Sequence, residues 1–199
     1  VYMDATVWVN GNLLGSHPYG YTPFSFDLTK YLNFDGSENV VAVKVNHQTP
    51  SSRWYSGSGI YRDVKLQIMD KVHVDLNGVK VETPGLKNDQ KNVAVNIKTK
   101  LVNASADNKD VKVKATIFEK GGEPSSKLGE AIAEVNALKA NMSSEVSLEL
   151  NVNSPKLWDT EHPNLYTVRV EVLQGEEVVD TYDTDYGFRW FSADKDKGT

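Results

Sequence analysis

The chain has 199 residues, 39% apolar and 25% charged, a balance that supports buried cores and argues against disorder, and its length suits two ordinary domains. A net charge of -5 with no basic run excludes the electrostatic footprint of a protein that binds nucleic acid or an anionic membrane. The absence of cysteine removes disulfides, thiolate catalysis and Cys-based zinc sites, and no apolar stretch reaches the roughly 20 residues needed to span a bilayer as a helix.

Val1 is neither an initiator Met nor part of a signal peptide, so the chain reads as an excised segment. The composition is compatible with the bacterial cytoplasm and equally with secretion or a cell surface.

Thr6-Val7-Trp8-Val9 alternates as strands do and meets Asn10-Gly11, a hairpin dipeptide, before Leu13-Leu14-Gly15. A β-hairpin is expected there. Pro18, Gly20 and Pro23 break any ladder, and the alternating Phe24-Ser25-Phe26-Asp27-Leu28 predicts a further strand or strand end. One helical turn can follow, with Asp27 as N-cap and Leu28, Tyr31 and Leu32 on one face. Strands are then expected over Asn39 to Val45 and over Ile60 to Ile68.

From Val72 short alternating runs recur: Val72 to Leu76, Val93 to Ile97, Val111 to Ile117, Val146 to Leu150 and Tyr166 to Val172. Further strands are expected at Glu130 to Val135 and Val178 to Asp183. This spacing, punctuated by Gly, Asn, Asp and Ser turns, predicts an immunoglobulin-like sandwich. The one rival helical stretch, Gly129 to Lys139, follows Gly121-Gly122 and lacks an apolar stripe of helical period, so it reads as strand and loop. The polar tail from Ser192 to Thr199 reads as a linker.

Chemistry-bearing residues are sparse. His17, His47, His73 and His162 are well separated, with no spacing that would hold a metal, so no metal site and no cofactor are expected. Asn103-Ala104-Ser105 and Asn141-Met142-Ser143 match the glycosylation acceptor triplet but arise readily by chance.

The segment from Ser51 to Arg62 is different, because it gathers Arg53, Trp54, Tyr55, Tyr61 and Arg62 between two expected strands. Aromatic faces pack on the apolar faces of sugars, and arginine offers a fixed fork of donors to hydroxyl groups. The plainer alternative is that these aromatics plug one end of a sandwich while the arginines pair with acids.

Ser52-Arg53-Trp54-Tyr55 followed by Gly57-Ser58-Gly59-Ile60-Tyr61-Arg62-Asp63-Val64 resembles the signature of the sugar-binding domain of family 2 glycoside hydrolases, the family of the β-galactosidases. Val7 to Gly11, Phe24 to Leu28, Asn153 to Asp159 with Pro163 to Tyr166, and Gly187-Phe188-Arg189 agree in order. The resemblance implies an all-β chain: a partial, galactose-binding-like jelly roll over 1–70, its C-terminal half, then an immunoglobulin-like β-sandwich over 71–188. Residues 189–199 would lead toward a (β/α)₈ barrel that the chain lacks.

In that family the acid/base and nucleophile glutamates belong to the barrel, so the resemblance implies no catalytic residue here. Two facing carboxyl groups are needed to hydrolyse a glycoside, and the acids of this chain alternate on strands or sit in loops, where solvated surface is the expected role. The partner implied for the intact parent is a carbohydrate, a terminal β-galactoside, with β-glucuronidase and β-mannosidase as rivals. A stand-alone carbohydrate-binding module and a structural spacer remain open as well.

The resemblance also implies that the segment from Asn46 to Tyr55 reaches substrate in the parent, with Arg53 the leading contact and Asn46, His47 and Trp54 behind it. His47-Gln48-Thr49-Pro50-Ser51-Ser52 lacks the acidic residue that long family members place there, which argues against a sodium or magnesium site. Trp158, after Pro155, is expected to pack at the sandwich edge.

Overall fold

A computed structural model of the chain describes residues 1–46 and 56–193. The fold is all-β, built of antiparallel sheets, and divides into two compact units, Val1–Gln67 and Ile68–Thr199.

The first unit is organised by β1 (Ala5–Val9), which lies between β2 (Asn12–His17) and β3 (Val41–Val45). The expected hairpin forms: Asn10 and Gly11 both take positive φ, 48° and 80°, as a two-residue turn matched to strand twist requires. Period-two alternation buries Ala5, Val7 and Val9 on one face. On β2, Gly15 leaves room for Phe26, whose ring would lie 2.7 Å from a Cβ placed there.

Two expected strands are absent. Phe24 to Leu28 forms none, because Phe26 packs across Gly15 and Phe24 stacks on His17 at 4.7 Å, so side chains rather than a ladder hold the segment. The turn after it is a 3-10 turn, Thr29–Tyr31, entered at Leu28; Asp27 lies one residue earlier and accepts the Thr29 N–H at 2.8 Å. Ile60 to Ile68 likewise forms no strand and makes a single bridge just before it, Tyr2 with Gly59. Val64, Leu66 and Ile68, one face of the alternation, are 77%, 70% and 90% exposed. With no neighbouring strand among the described residues to supply donors and acceptors, alternation alone does not make a sheet.

The second unit is a β-sandwich. One sheet has the order β4 (Val72–Glu82), β5 (Asn92–Asn103), β8 (Met142–Asn153). The other runs β10 (Glu177–Tyr186), β9 (Tyr166–Gln174), β6 (Lys109–Glu119), β7 (Gly129–Leu138). The inward rows Val93, Val95, Ile97 and Leu101 of β5, Val146 to Val152 of β8, Val113 to Ile117 of β6, and Tyr166 to Val172 of β9 form one core. Gly129 to Leu138 is a strand throughout, as its lack of a helical stripe requires.

Polar groups close the seams. Asn103, fully buried on β5, donates to the carbonyls of Asp107 and Leu138 at 2.9 and 2.8 Å and accepts from the N–H and hydroxyl of Ser105. Its amide is therefore consumed by the fold, not offered for glycosylation. Asp180 of β10 accepts the Val74 N–H of β4 at 2.8 Å, a side chain standing in for a ladder bond. Arg169 and Asp183, directly opposed on β9 and β10, form a two-pronged pair at 2.8 and 2.7 Å.

Candidate functional site

Of the four residues expected to reach substrate, His47, Arg53 and Trp54 lie outside the described residues, and Asn46 stands at the end of β3. Asn46 is exposed, and its amide donates to an Asp4 carboxylate oxygen at 2.9 Å while its N–H meets the Asp4 carbonyl at 3.3 Å. On the far side of 47–55, Gly59 exchanges both backbone hydrogen bonds with Tyr2, at 2.9 and 3.0 Å. The short lead into β1, residues 2–4, thus holds both flanks of the segment on which the expected contacts fall. The Asp4 backbone N–H in turn donates to the Pro18 carbonyl at 3.1 Å, which draws 18–22 into the same cluster.

Around this anchor the structure gathers aromatic rings. Tyr21 packs edge-on against Tyr2 at 5.4 Å and against Tyr19 at 5.5 Å. The Tyr61 hydroxyl donates to the Gly20 carbonyl at 2.6 Å, and Arg62 donates to the Tyr21 carbonyl at 3.0 Å while its guanidinium covers the Tyr61 ring at 5.1 Å. Gly20 is required at its position, since a Cβ would fall 2.2 Å from the Tyr2 ring. Tyr19, Tyr21 and Tyr61 remain exposed, so one patch offers aromatic faces beside an arginine. Such a patch can stack on the C–H face of a sugar ring and donate to its hydroxyls.

Tyr61 and Arg62 were legible as candidate carbohydrate chemistry from the sequence, whereas Tyr2, Asp4, Tyr19 and Tyr21 were not. Their signal was the pair of tyrosines flanking a glycine between two prolines, which reads as a loop until Tyr2 is seen to fill the space over Gly20.

Every carboxyl with a displaced value is displaced downward: Asp27 chiefly by hydrogen bonds from Thr29, Asp75 by Lys100, Glu82 by Lys80, and Asp159 by the His162 N–H. A general acid for glycosides requires the opposite. Among the described residues no group of three His, Cys, Asp or Glu side chains converges as a metal site, and no helix is long and apolar enough to cross a membrane.

In the second unit a hollow of about 320 Å³ is lined by Glu119, Lys120, Lys156 and residues 163–166. Its charges are spent internally, Lys156 on Glu119 at 2.9 Å and Lys120 on Asp185 at 2.5 Å. Trp158 is half-buried and structural: its backbone N–H donates to the Phe188 carbonyl at 2.8 Å, Arg189 covers its ring at 5.1 Å, and a Cβ placed at Gly187 would lie 3.0 Å from its side chain.

Sequence comparison matches residues 1–69 to the sugar binding domain of glycosyl hydrolases family 2, and residues 72–189 to a second domain of glycosyl hydrolases family 2. The chain belongs to glycosyl hydrolase family 2. Over its whole length it is 42% identical to the β-galactosidase BoGH2A of Bacteroides ovatus, of which it covers 23%. It is 36% identical to a putative β-glucuronidase of Formosa agariphila, with 95% of this chain and 17% of that protein aligned. Among solved structures, a family 2 member from Bacteroides cellulosilyticus superposes over the full chain with a TM-score of 0.90 at 32% identity, over 26% of that protein. A β-glucuronidase of the same family does so over 96% of this chain and 22% of its own, with a TM-score of 0.88 at 30% identity. This family 2 chain therefore spans about a quarter or less of the length of these relatives.

Proposed function

We propose that this chain is a non-catalytic, substrate-facing part of a retaining β-galactosidase that removes terminal β-galactosides by double displacement. The observation that carries the reading is the 42% identity to a β-galactosidase along the entire chain, at 23% of that relative's length. The two carboxyl groups about 5 Å apart that such chemistry needs would reside on a barrel outside this chain. Its parts are a C-terminal half of a jelly roll over 1–70, an immunoglobulin-like sandwich over 71–188, and a lead of 189–199 toward the barrel. The exposed apolar side chains Val64, Leu66 and Ile68 support this, since a contiguous apolar row in water marks a surface that another part of a protein covers.

In the parent, the Asp4 and Tyr2 anchors would set the position from which Arg53, Trp54, His47 and Asn46 meet a neutral sugar. A β-glucuronide is the second reading, favoured by the Formosa relative and the β-glucuronidase structure.

The test is turnover of chromogenic β-galactoside and β-glucuronide by this chain and by a longer polypeptide that continues through the barrel. Galactoside hydrolysis by the longer protein alone supports the proposal. Hydrolysis by the short chain overturns it, and turnover of the glucuronide instead transfers the reading to that sugar.

A further inference from the structure

Three asparagine or aspartate residues precede glycine: Asn10, Asp35 and Asn77. A following glycine has no Cβ to shield its amide nitrogen, which makes these the places where that nitrogen can approach the side-chain carbonyl carbon. The fold treats the three differently.

Asn10 is locked. Its amide donates to the Tyr31 carbonyl at 2.9 Å and to Asn39 Oδ1 at 2.8 Å, and its oxygen accepts the Val40 N–H at 2.9 Å. Asp35 accepts the Ser37 hydroxyl at 2.6 Å and its N–H at 3.0 Å, which holds the carboxyl below its ordinary value. It therefore stays a carboxylate, a poor electrophile. Asn77 is exposed, sits at φ 56°, and makes no side-chain hydrogen bond among the described residues. It lies where β4 leaves register with β5 between Val74 and Val79, so that none of 75–78 stands opposite a β5 residue.

We propose that Asn77 is the site at which this chain converts spontaneously from amide to acid through a cyclic imide. The Gly78 nitrogen, having lost its proton to hydroxide, attacks Cγ of Asn77. The new C–N bond forms as the bond to Nδ2 breaks, and the amide leaves as ammonia with a proton from water. Water then opens the five-membered imide at either carbonyl and leaves Asp or isoAsp at position 77. The balance is one water consumed and one ammonia released, with no change of oxidation state. The product places a second carboxylate on the stretch where Asp75 already pairs with Lys100 at 2.7 Å, and the isoAsp form adds a methylene to the backbone of the bulge.

The full chain is incubated in mildly alkaline buffer, with and without urea, and digested with trypsin, which separates peptide 72–80 from peptide 1–30 that carries Asn10. In the folded chain, acid and isoacid forms are expected in 72–80 at least about tenfold faster than at Asn10, whose three hydrogen bonds must break first. The rate should rise with pH, and in urea the two sites should converge. An unconverted 72–80 peptide, equal conversion of both sites in the folded chain, or a difference that persists in urea would each overturn the proposal.

Discussion

Val64-Lys65-Leu66-Gln67-Ile68 and Val93-Ala94-Val95-Asn96-Ile97 carry the same alternation, yet the first leaves its apolar row in water and the second buries it completely. The difference is partnership. Val93 to Ile97 lies between β4 and β8, with Ile97 opposite Val81 on one side and Leu148 on the other, while Val64 to Ile68 has no strand beside it among the described residues. Alternation states which face can be buried; a neighbour and an opposing sheet decide whether it is.

The contrast can be broken first at the sandwich core. Phe188 is fully buried, edge-on to Tyr166 at 5.0 Å and Tyr186 at 5.2 Å. Phe188→Ala should cost about 3–5 kcal/mol in urea denaturation, as cavity formation in a dense core does. Asn103→Ala should follow at about 2 kcal/mol, because it strands the Leu138 carbonyl and the Ser105 N–H where water does not reach.

A gain is expected at Thr99, also fully buried on β5, whose hydroxyl finds no partner among the described residues. Thr99→Val keeps the shape and removes the stranded group, so the midpoint should rise by the equivalent of about 1 kcal/mol. A lower midpoint would show that the hydroxyl is satisfied in solution.

Smaller still is the acid limb. Lys100 holds the Asp75 carboxyl below its ordinary value in the folded state. A depressed folded value contributes stability above the ordinary carboxylate range and loses it as pH falls through the folded value. Lys100→Ala should flatten that acid loss slightly, the pair being partly exposed to solvent.

The smallest effect sharpens the comparison from the other side. Leu66→Ser should change the stability of this chain by less than about 0.5 kcal/mol, since the side chain is already in water. The same substitution in the longer parent should cost clearly more, and equal effects in both would show that nothing covers this face there.

Much of the sandwich was legible because its strands repeat an unambiguous period two over four or more residues, as β5 and β9 do, and β7 could be placed because Gly129 to Lys139 lacks a helical stripe. Phe24 to Leu28 was misread because its alternating aromatics serve Gly15 and His17, contacts distant in sequence. At the candidate site Asn46, Tyr61 and Arg62 were visible as residue types. The holding roles of Tyr2 and Asp4 were not, because they are backbone and carboxylate contacts made by residues with no motif of their own.

By itself the sequence determined the all-β class, the Asn10-Gly11 hairpin, the inward rows of the second unit and the family resemblance. All of these follow from local periodicity, turn chemistry or a contiguous signature. Only the tertiary structure decided that Ile60 to Ile68 goes unpaired, that Asn103 is a buried hub, and that residues 2–4 anchor both flanks of 47–55. These depend on which groups meet across long stretches of chain, where desolvation and hydrogen-bond satisfaction, not local pattern, set the outcome.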